Sequence, residues 1–245
     1  MAGNSIVIYS SLFGKRGNLT EPKVVPQGCD LVFFTDRDDI TSKTWEVRKV
    51  KVETEDPRRA SRHPKILPHL YLTDYRYSVY MDANLELRGD VKELVNEYLV
   101  EKKAKLALFS HKNNKDSRDC VYDEYDALME GYRKGRRQDD PEVMRVQIEE
   151  YEKAGYPKHA GLAVTMVILR EHNDPDVVRA MECWWSEYMA HSKRDQLSFN
   201  YSMWKSNLPV TYLPGDSRDN KYLKHHAHIQ KSVFRRAWER IWQIF

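Results

Sequence analysis

Hydrophobic residues along the chain fall into short unbroken runs separated by longer stretches of mixed character. Residues 5–10, around Ile6-Val7-Ile8-Tyr9, read as a first strand, and 31–36, around Leu31-Val32-Phe33-Phe34, as a second. Residues 45–50 alternate apolar and polar, which predicts a half-exposed edge strand. Residues 77–81, 106–110 and 210–213 also read as strands, 160–170 give a loop glycine and a strand, and 85–87 form a second alternating segment just after 81. Helix signals lie between them. Asp56 caps a helix with Pro57 in its first turn, and Pro64 is an interior proline expected to kink it. Residues 91–100, 119–129 and 141–151 read as helices. Asp174-Pro175 opens a helix whose Val177, Val178, Met181, Trp184, Trp185, Tyr188 and Met189 recur at helical spacing. Arg194-Asp195-Gln196 introduces another, with Leu197, Tyr201 and Trp204 on one stripe. Strand runs alternating with helix-capable segments predict an α/β sheet.

Composition narrows the class. The chain has 245 residues, 41% hydrophobic and 31% charged, which fits a soluble globular protein with one sizeable core or at most two small domains. A net charge of +3 gives no argument for nucleic acid, and no basic patch interleaved with aromatics changes that before the C-terminus. The three cysteines, Cys29, Cys120 and Cys183, are odd in number and not spaced as a metal or redox motif, so reduced thiols in a cytosolic setting are expected. Residues 1–5 lack the pattern of a signal peptide, and no run approaches the ~20 apolar residues of a membrane span. Fifteen Tyr and six Trp suit sites that stack flat or sugar-like ligands.

Candidate chemistry gathers at the ends of the runs. Asp82 and Asn84 follow the strand at 77–81, where ligands bind in open α/β sheets; they read either as a cation site or as a turn. Arg58, Arg62 and Lys65, spaced i, i+4, i+7, place three cations on one helical face, either solvated or clamping a diphosphate. Asp119, Asp123, Glu124 and Asp126 form a carboxylate row of mostly solvated type. Lys224-His225-His226-Ala227-His228 is either a metal-ligating cluster or a tolerated surface one. The tail at 232–245 puts Phe234, Trp238, Ile241, Trp242 and Phe245 on one helical face, with Arg235, Arg236 and Arg240 elsewhere. That composition fits an interfacial helix on an anionic membrane, or a helix packed back on the domain or on a missing partner segment.

Taken in order, these pieces resemble a glycosyltransferase-like family long catalogued as a domain of unknown function, with plant wall- and mucilage-related members and bacterial polysaccharide-cluster members. The resemblance runs through Ile8–Gly14, Cys29-Asp30, Phe34-Thr35-Asp36, Asp56-Pro57-Arg58, Arg62, Lys65 and Pro68-His69. It continues through Tyr77-Ser78, Met81-Asp82-Ala83-Asn84, His111, Cys120–Glu124, Gly161-Leu162, Ile168-Leu169-Arg170, Trp184-Trp185 and Arg194–Phe199, covering most of residues 6–204. It implies a single Rossmann-like glycosyltransferase A-type domain with a mixed central sheet flanked by helices. That domain is expected over 1–228, with an amphipathic C-terminal helix over 229–245. It also implies transfer of a sugar from a nucleotide-diphosphate donor to a glycan or lipid-linked glycan acceptor in polysaccharide biosynthesis.

In this resemblance Asp82 and Asn84 stand where an Asp-x-Asp motif holds Mn²⁺ or Mg²⁺, with His226 or His228 as a further ligand. Asn84 carries one negative charge fewer than that motif, which weakens the expected metal binding. Tyr9, Ser10, Ser11 and Asp36 are expected at the nucleoside, and Arg58, Arg62 and Lys65 at the base or diphosphate. His111, Tyr122, Glu124 and Gly161 are expected at the sugar and acceptor, and Arg194, Asp195 and Gln196 near the transferred sugar. Asp195 is the expected catalytic acid/base or electrostatic residue. A cytoplasmic protein, peripheral on the inner face of the cell membrane through 232–245, is the matching expectation. Two other readings stand beside it: a non-catalytic sugar-nucleotide or glycan-binding module, and a metal-dependent hydrolase built on Asp82 and the histidines.

Overall fold

The computed structural model describes residues 5–226. The tail, the boundary at 229 and the candidate ligand His228 lie outside the described residues. Seven runs form one sheet: β1 (Ile6–Leu12), β2 (Cys29–Thr35), β3 (Glu46–Lys49), β4 (Tyr77–Met81), β6 (Leu106–Ser110), β7 (Ala163–Arg170) and β8 (Thr211–Leu213), in the order β3-β2-β1-β4-β7-β6-β8. β7 pairs antiparallel with both β4 and β6, while the other pairings are parallel. β7 is therefore the one reversed strand of this sheet. Its first residue lies with the carboxyl ends of β4 and β6, which is why Gly161 and Leu162 reach the same rim as Asp82 and His111.

The sheet is buried on both faces, as mostly parallel sheets are. Ile6 and Ile8 of β1 join one core with Phe33, Val79, Leu87 and Leu94; Val7 and Tyr9 join the other with Phe34, Ile168, Trp184 and Phe199. The second face is covered by α1 (Pro57–Ile66), α5 (Pro175–Ala190) and α6 (Asp195–Lys205). α3 (Val121–Arg133) and α4 (Pro141–Lys153) enclose a third cluster against Leu197 and Tyr201 of α6. A Rossmann-like α/β domain with helices flanking a mixed sheet results.

Asp56 caps α1 through its Oδ1, which accepts the N–H groups of Arg58 at 2.9 Å and Arg59 at 3.3 Å. The helix continues past Pro64 to Ile66, which sets Lys65 in its last turn. The segment 91–100, read as one helix, is instead a short α turn, α2 (Lys92–Leu94), running into a π-helical stretch, Val95–Glu101. A second, small sheet pairs β5 (Leu85–Leu87) antiparallel with β9 (Leu223–His225), so the histidine-rich stretch is partly a strand. Among the described residues, no helix is long and apolar enough to cross a membrane.

Candidate active site

The site begins where β4 ends. The Asp82 N–H donates to the Met166 carbonyl on β7 at 2.9 Å, and the Leu85 N–H closes a turn onto the Asp82 carbonyl at 2.9 Å. Asp82 and Asn84 are thereby held at the rim. The Tyr80 hydroxyl, two residues back and on the same face of the strand, donates to Asp82 Oδ1 at 2.8 Å. Among the described residues Oδ2 has no hydrogen-bond partner, and the Asp82 side chain is 22% exposed.

α1 delivers two cations to this rim. Lys65 is 1% exposed; its Nζ lies 2.6 Å from Asp195 Oδ2 and 3.4 Å from Asp82 Oδ1. It also sits 4.9 Å from the centre of the Tyr80 ring. Arg62 Nε donates to the same Asp195 oxygen at 3.2 Å. Asp195 is the first residue of α6, where the helix dipole favours a carboxylate, and its carbonyl accepts from Trp184 Nε1 at 3.1 Å. Burial alone would raise the Asp195 carboxyl, but Lys65 and Arg62 outweigh it and hold it well below the usual carboxylate range. Arg62 mirrors this: burial opposes its charge, while Asp195 and Asp82 keep it firmly protonated. Arg58, one turn before Arg62, donates to the Gln138 carbonyl at 3.0 Å. Burial and then the neighbouring charges of Arg62 and Arg194 lower its pKa, so cations crowd this corner.

On the other side of Asp82 stand the histidines. Asn84 Nδ2 meets His225 Nε2 at 2.9 Å, and the His226 N–H donates to the Asn84 carbonyl at 2.9 Å. The His226 ring turns away and pairs with Glu86 at 3.0 Å. Side chains alternate along a strand, so neighbouring His225 and His226 cannot both face Asn84. A carboxylate oxygen, an amide and an imidazole are donors that a hard or borderline divalent cation accepts. By donor type, Asp82, Asn84 and His225 are groups that such a cation accepts.

Residues expected at the nucleoside lie mostly beneath the site. Tyr9 is fully buried; its hydroxyl donates to the Lys65 carbonyl at 3.1 Å and accepts from Arg170, which also donates to that carbonyl at 2.6 Å. Burial pushes the Tyr9 hydroxyl up to about 12, with Arg170 opposing. Ser11 Oγ donates to the Ser61 carbonyl at 2.7 Å, and Ser10 is 1% exposed. Tyr9 and Ser11 thus fasten the last turn and the middle of α1 to β1. Asp36 is exposed and accepts the Gly14 N–H at 2.9 Å; Gly14 has φ +74, and a Cβ there would meet Pro57 Cβ at 2.6 Å.

A second ionic chain borders the site beyond Asp195. Arg194 caps α6 in sequence and reaches buried Glu124 at 3.6 Å; Arg118 holds the same carboxylate at 2.7 Å and lies 3.3 Å from His111 Nε2. Burial lowers the His111 pKa, which keeps the ring neutral. The Tyr122 hydroxyl donates to the Tyr156 carbonyl at 2.7 Å. Gln196 Nε2 donates to the Ala163 carbonyl at 3.0 Å, and Asn200 Oδ1 accepts the Ala163 N–H at 2.8 Å, so α6 satisfies the start of β7. Gly161 has φ +92, and a Cβ there would collide with the Tyr212 hydroxyl. Asp82, Lys65, Arg62 and Asp195 are brought together; Asn84 joins them through the Asp82 turn, while His111, Glu124 and Arg194 form the neighbouring chain. Tyr80, Arg118 and His225 are additions. Tyr80 left a signal in the sequence through its i, i+2 spacing to Asp82, and His225 through the histidine cluster at 224–228; Arg118 left none.

A cleft of about 500 Å³ lies elsewhere, at the amino ends of β6 and β8 beside Lys102, Lys103, Lys105 and Arg179. Lys102, Lys105 and Arg179 are already matched by Glu97, Asp174 and Asp176. The chemistry converges instead at the carboxyl ends of the strands, where ligands bind in this class of sheet.

Comparison with known proteins gives the family. A family model described as TOD1/MUCI70, glycosyltransferase-like domain, matches residues 1–216. Among curated proteins, the chain is similar to the probable hexosyltransferase MUCI70 of Arabidopsis thaliana, at 30% identity over 155 residues. The match takes in 59% of this chain and 25% of that protein, so the chain corresponds to about a quarter of its relative's length.

Proposed function

The chain belongs to the TOD1/MUCI70 glycosyltransferase-like family, and on that premise we propose that it transfers a sugar from a nucleotide-diphosphate donor to a hydroxyl of a glycan or lipid-linked glycan. The observation that carries this reading is Lys65. A buried ammonium bridging two carboxylates at a strand's carboxyl end is positive charge fixed in place before any ligand arrives.

Breaking the glycosyl bond leaves negative charge on a nucleoside diphosphate. Preorganised cations aimed at that charge lower the barrier because they need no reorganisation during the reaction. Arg62 and Lys65 would meet the diphosphate, with Arg58 and Arg194 behind them. Asp82, Asn84 and His225 would hold Mn²⁺ or Mg²⁺, whose role is to neutralise the developing charge of the leaving group. Asp82 already shares Lys65, and Asn84 is neutral, so the ion would find less negative charge than two free carboxylates offer.

Asp195 takes the electrostatic half of its expected role. A carboxylate held this far below its ordinary range is a weak base and takes an acceptor proton poorly. Its work is to hold Lys65 and Arg62 in one geometry. The helix α6 that carries it is anchored through Gln196 and Asn200 to β7.

A thermal-shift screen of nucleoside-diphosphate sugars, with and without Mn²⁺, tests the reading. A donor that binds the folded state raises the melting temperature by mass action. At least one nucleotide sugar should do so more strongly with Mn²⁺; no shift from any of them would overturn the donor assignment.

A further inference from the structure

We propose that Cys120, Asp123 and His159 form a second metal centre, separate from Asp82, for a zinc-like divalent cation. One ligand atom from each residue lies within 4.8 Å of the others. Cys120 is the N-cap residue of α3 and makes no capping hydrogen bond through its side chain. Asp123 follows three residues later on the same helical face. Both side chains therefore stand at the first turn of α3, on the side from which His159 approaches.

His159 comes from the loop between α4 and β7 and adopts a left-handed backbone, φ 56, which is uncommon for a residue with a side chain. Its Nδ1 is partnered by Asp119 Oδ1 at 2.8 Å. A carboxylate on one ring nitrogen of a histidine fixes the ring and leaves the other nitrogen for a metal, an arrangement common around bound zinc. Cys120 is buried while Asp123 and His159 are exposed, so the ion would enter from solvent and rest against the protein.

The donor types select the ion. A thiolate and an imidazole favour Zn²⁺ over Mg²⁺ or Ca²⁺, and a carboxylate completes a set of protein ligands common to zinc. The centre would act as a staple. The Gly161 N–H donates to the Asp119 carbonyl at 3.0 Å, and the His111 N–H donates to the Leu162 carbonyl at 2.8 Å. Joining α3 to the loop at 159 therefore fixes the strand entry that borders the candidate site. It also fixes the helix bearing Glu124.

Cobalt is the probe for the experiment, because a thiolate bound to Co²⁺ gives a near-ultraviolet charge-transfer band. Chelator-treated protein titrated with Co²⁺ should develop that band at one ion per chain and lose it on adding Zn²⁺. Cys120→Ser should abolish the band, and Asp82→Ala should keep it. Cys120 is buried and its variant could fail to fold, so exposed His159 supplies the second arm. His159→Ala should weaken Zn²⁺ binding by about tenfold or more, and Asp119→Asn by about tenfold. Zn²⁺ should raise the melting temperature of the unaltered chain and not that of His159→Ala. Absence of the charge-transfer band, or equal Zn²⁺ affinity in the unaltered chain and His159→Ala, would overturn the proposal.

Discussion

Lys65 and Asp195 stand 130 residues apart in the chain and meet at 2.6 Å in a buried ion pair. The pair joins the last turn of α1 to the first residue of α6, and through Lys65 it also reaches Asp82. Removing one member of such a pair leaves an uncompensated buried charge, at a typical cost of about 3–5 kcal/mol. Lys65→Ala should therefore lower the unfolding free energy by roughly that amount in urea titration. In a double-mutant cycle with Asp195→Ala, residues 65 and 195 should couple by roughly 1–3 kcal/mol. Additive losses would mean that the pair is not formed.

Acid sensitivity follows from the same carboxylate. The folded pKa of Asp195 is depressed, so its stabilisation is complete above the unfolded value, about 4. It is lost as pH falls from there through the lower folded value. The stability gap between the unaltered chain and Asp195→Asn should be constant above about pH 5 and shrink below about pH 4. A gap that changes chiefly near neutral pH would contradict the assignment.

His172 contributes in a different window. It is buried, its Nε2 lies 2.8 Å from the Leu72 carbonyl, and burial lowers its pKa to about 4. Between about 6.5 and 4 the unfolded chain binds the proton and the folded chain does not, so stability falls as pH falls across that range. The loss is on the order of 3 kcal/mol. His172→Gln should flatten this slope in pH-dependent denaturation; an unchanged slope would assign it to other groups.

Gly161 tests the rim. With φ +92 and the Tyr212 hydroxyl where a Cβ would stand, Gly161→Ala should destabilise by about 1 kcal/mol or more. Measured against Tyr212→Phe alone, which loses the Asn200 hydrogen bond, Gly161→Ala should cost less in a Tyr212→Phe background, because the hydroxyl is gone and the ring carbons at 3.2 and 3.3 Å and the backbone strain remain. An equal cost in both backgrounds would mean that the hydroxyl is not what the Cβ meets.

The proposed metal ligands differ in what they face. His225 faces Asn84, while His226 pairs with Glu86. His225→Ala should lower Mn²⁺ affinity by about tenfold or more in titration calorimetry, and His226→Ala much less. The reverse order would move the ligand assignment to His226.

The strands were legible because burial on both faces makes β1, β2, β4 and β7 continuous apolar runs, which no polar surface pattern interrupts. The cap at Asp56 and the face shared by Arg62 and Lys65 were legible too, since helical spacing is local. What shares Lys65 with Asp82 was not: Asp195 arrives from a distant helix, which only the tertiary fold brings there. Tyr9 illustrates the limit. Its place near a strand end suggested a ligand contact, yet alternation along β1 turns it under α1, where it holds the Lys65 carbonyl. Leu223–His225 hid as a strand because three residues with Lys and His carry no apolar run, and only β5 gives them a partner. Arg118 lies in a loop without periodicity, so nothing in the sequence marked it as the bridge between His111 and Glu124.

The most direct test of the central claim is donor turnover by Asp82→Ala, measured as release of the nucleoside diphosphate on a protein shown to be folded. With a donor found by the thermal-shift screen, the unaltered chain should release nucleoside diphosphate in the presence of Mn²⁺. The variant should be slower by about 100-fold or more, the scale on which charge stabilisation is lost when one preorganised group is removed. Turnover within a few-fold of the unaltered chain would contradict the placement of the donor diphosphate at Asp82 and Lys65.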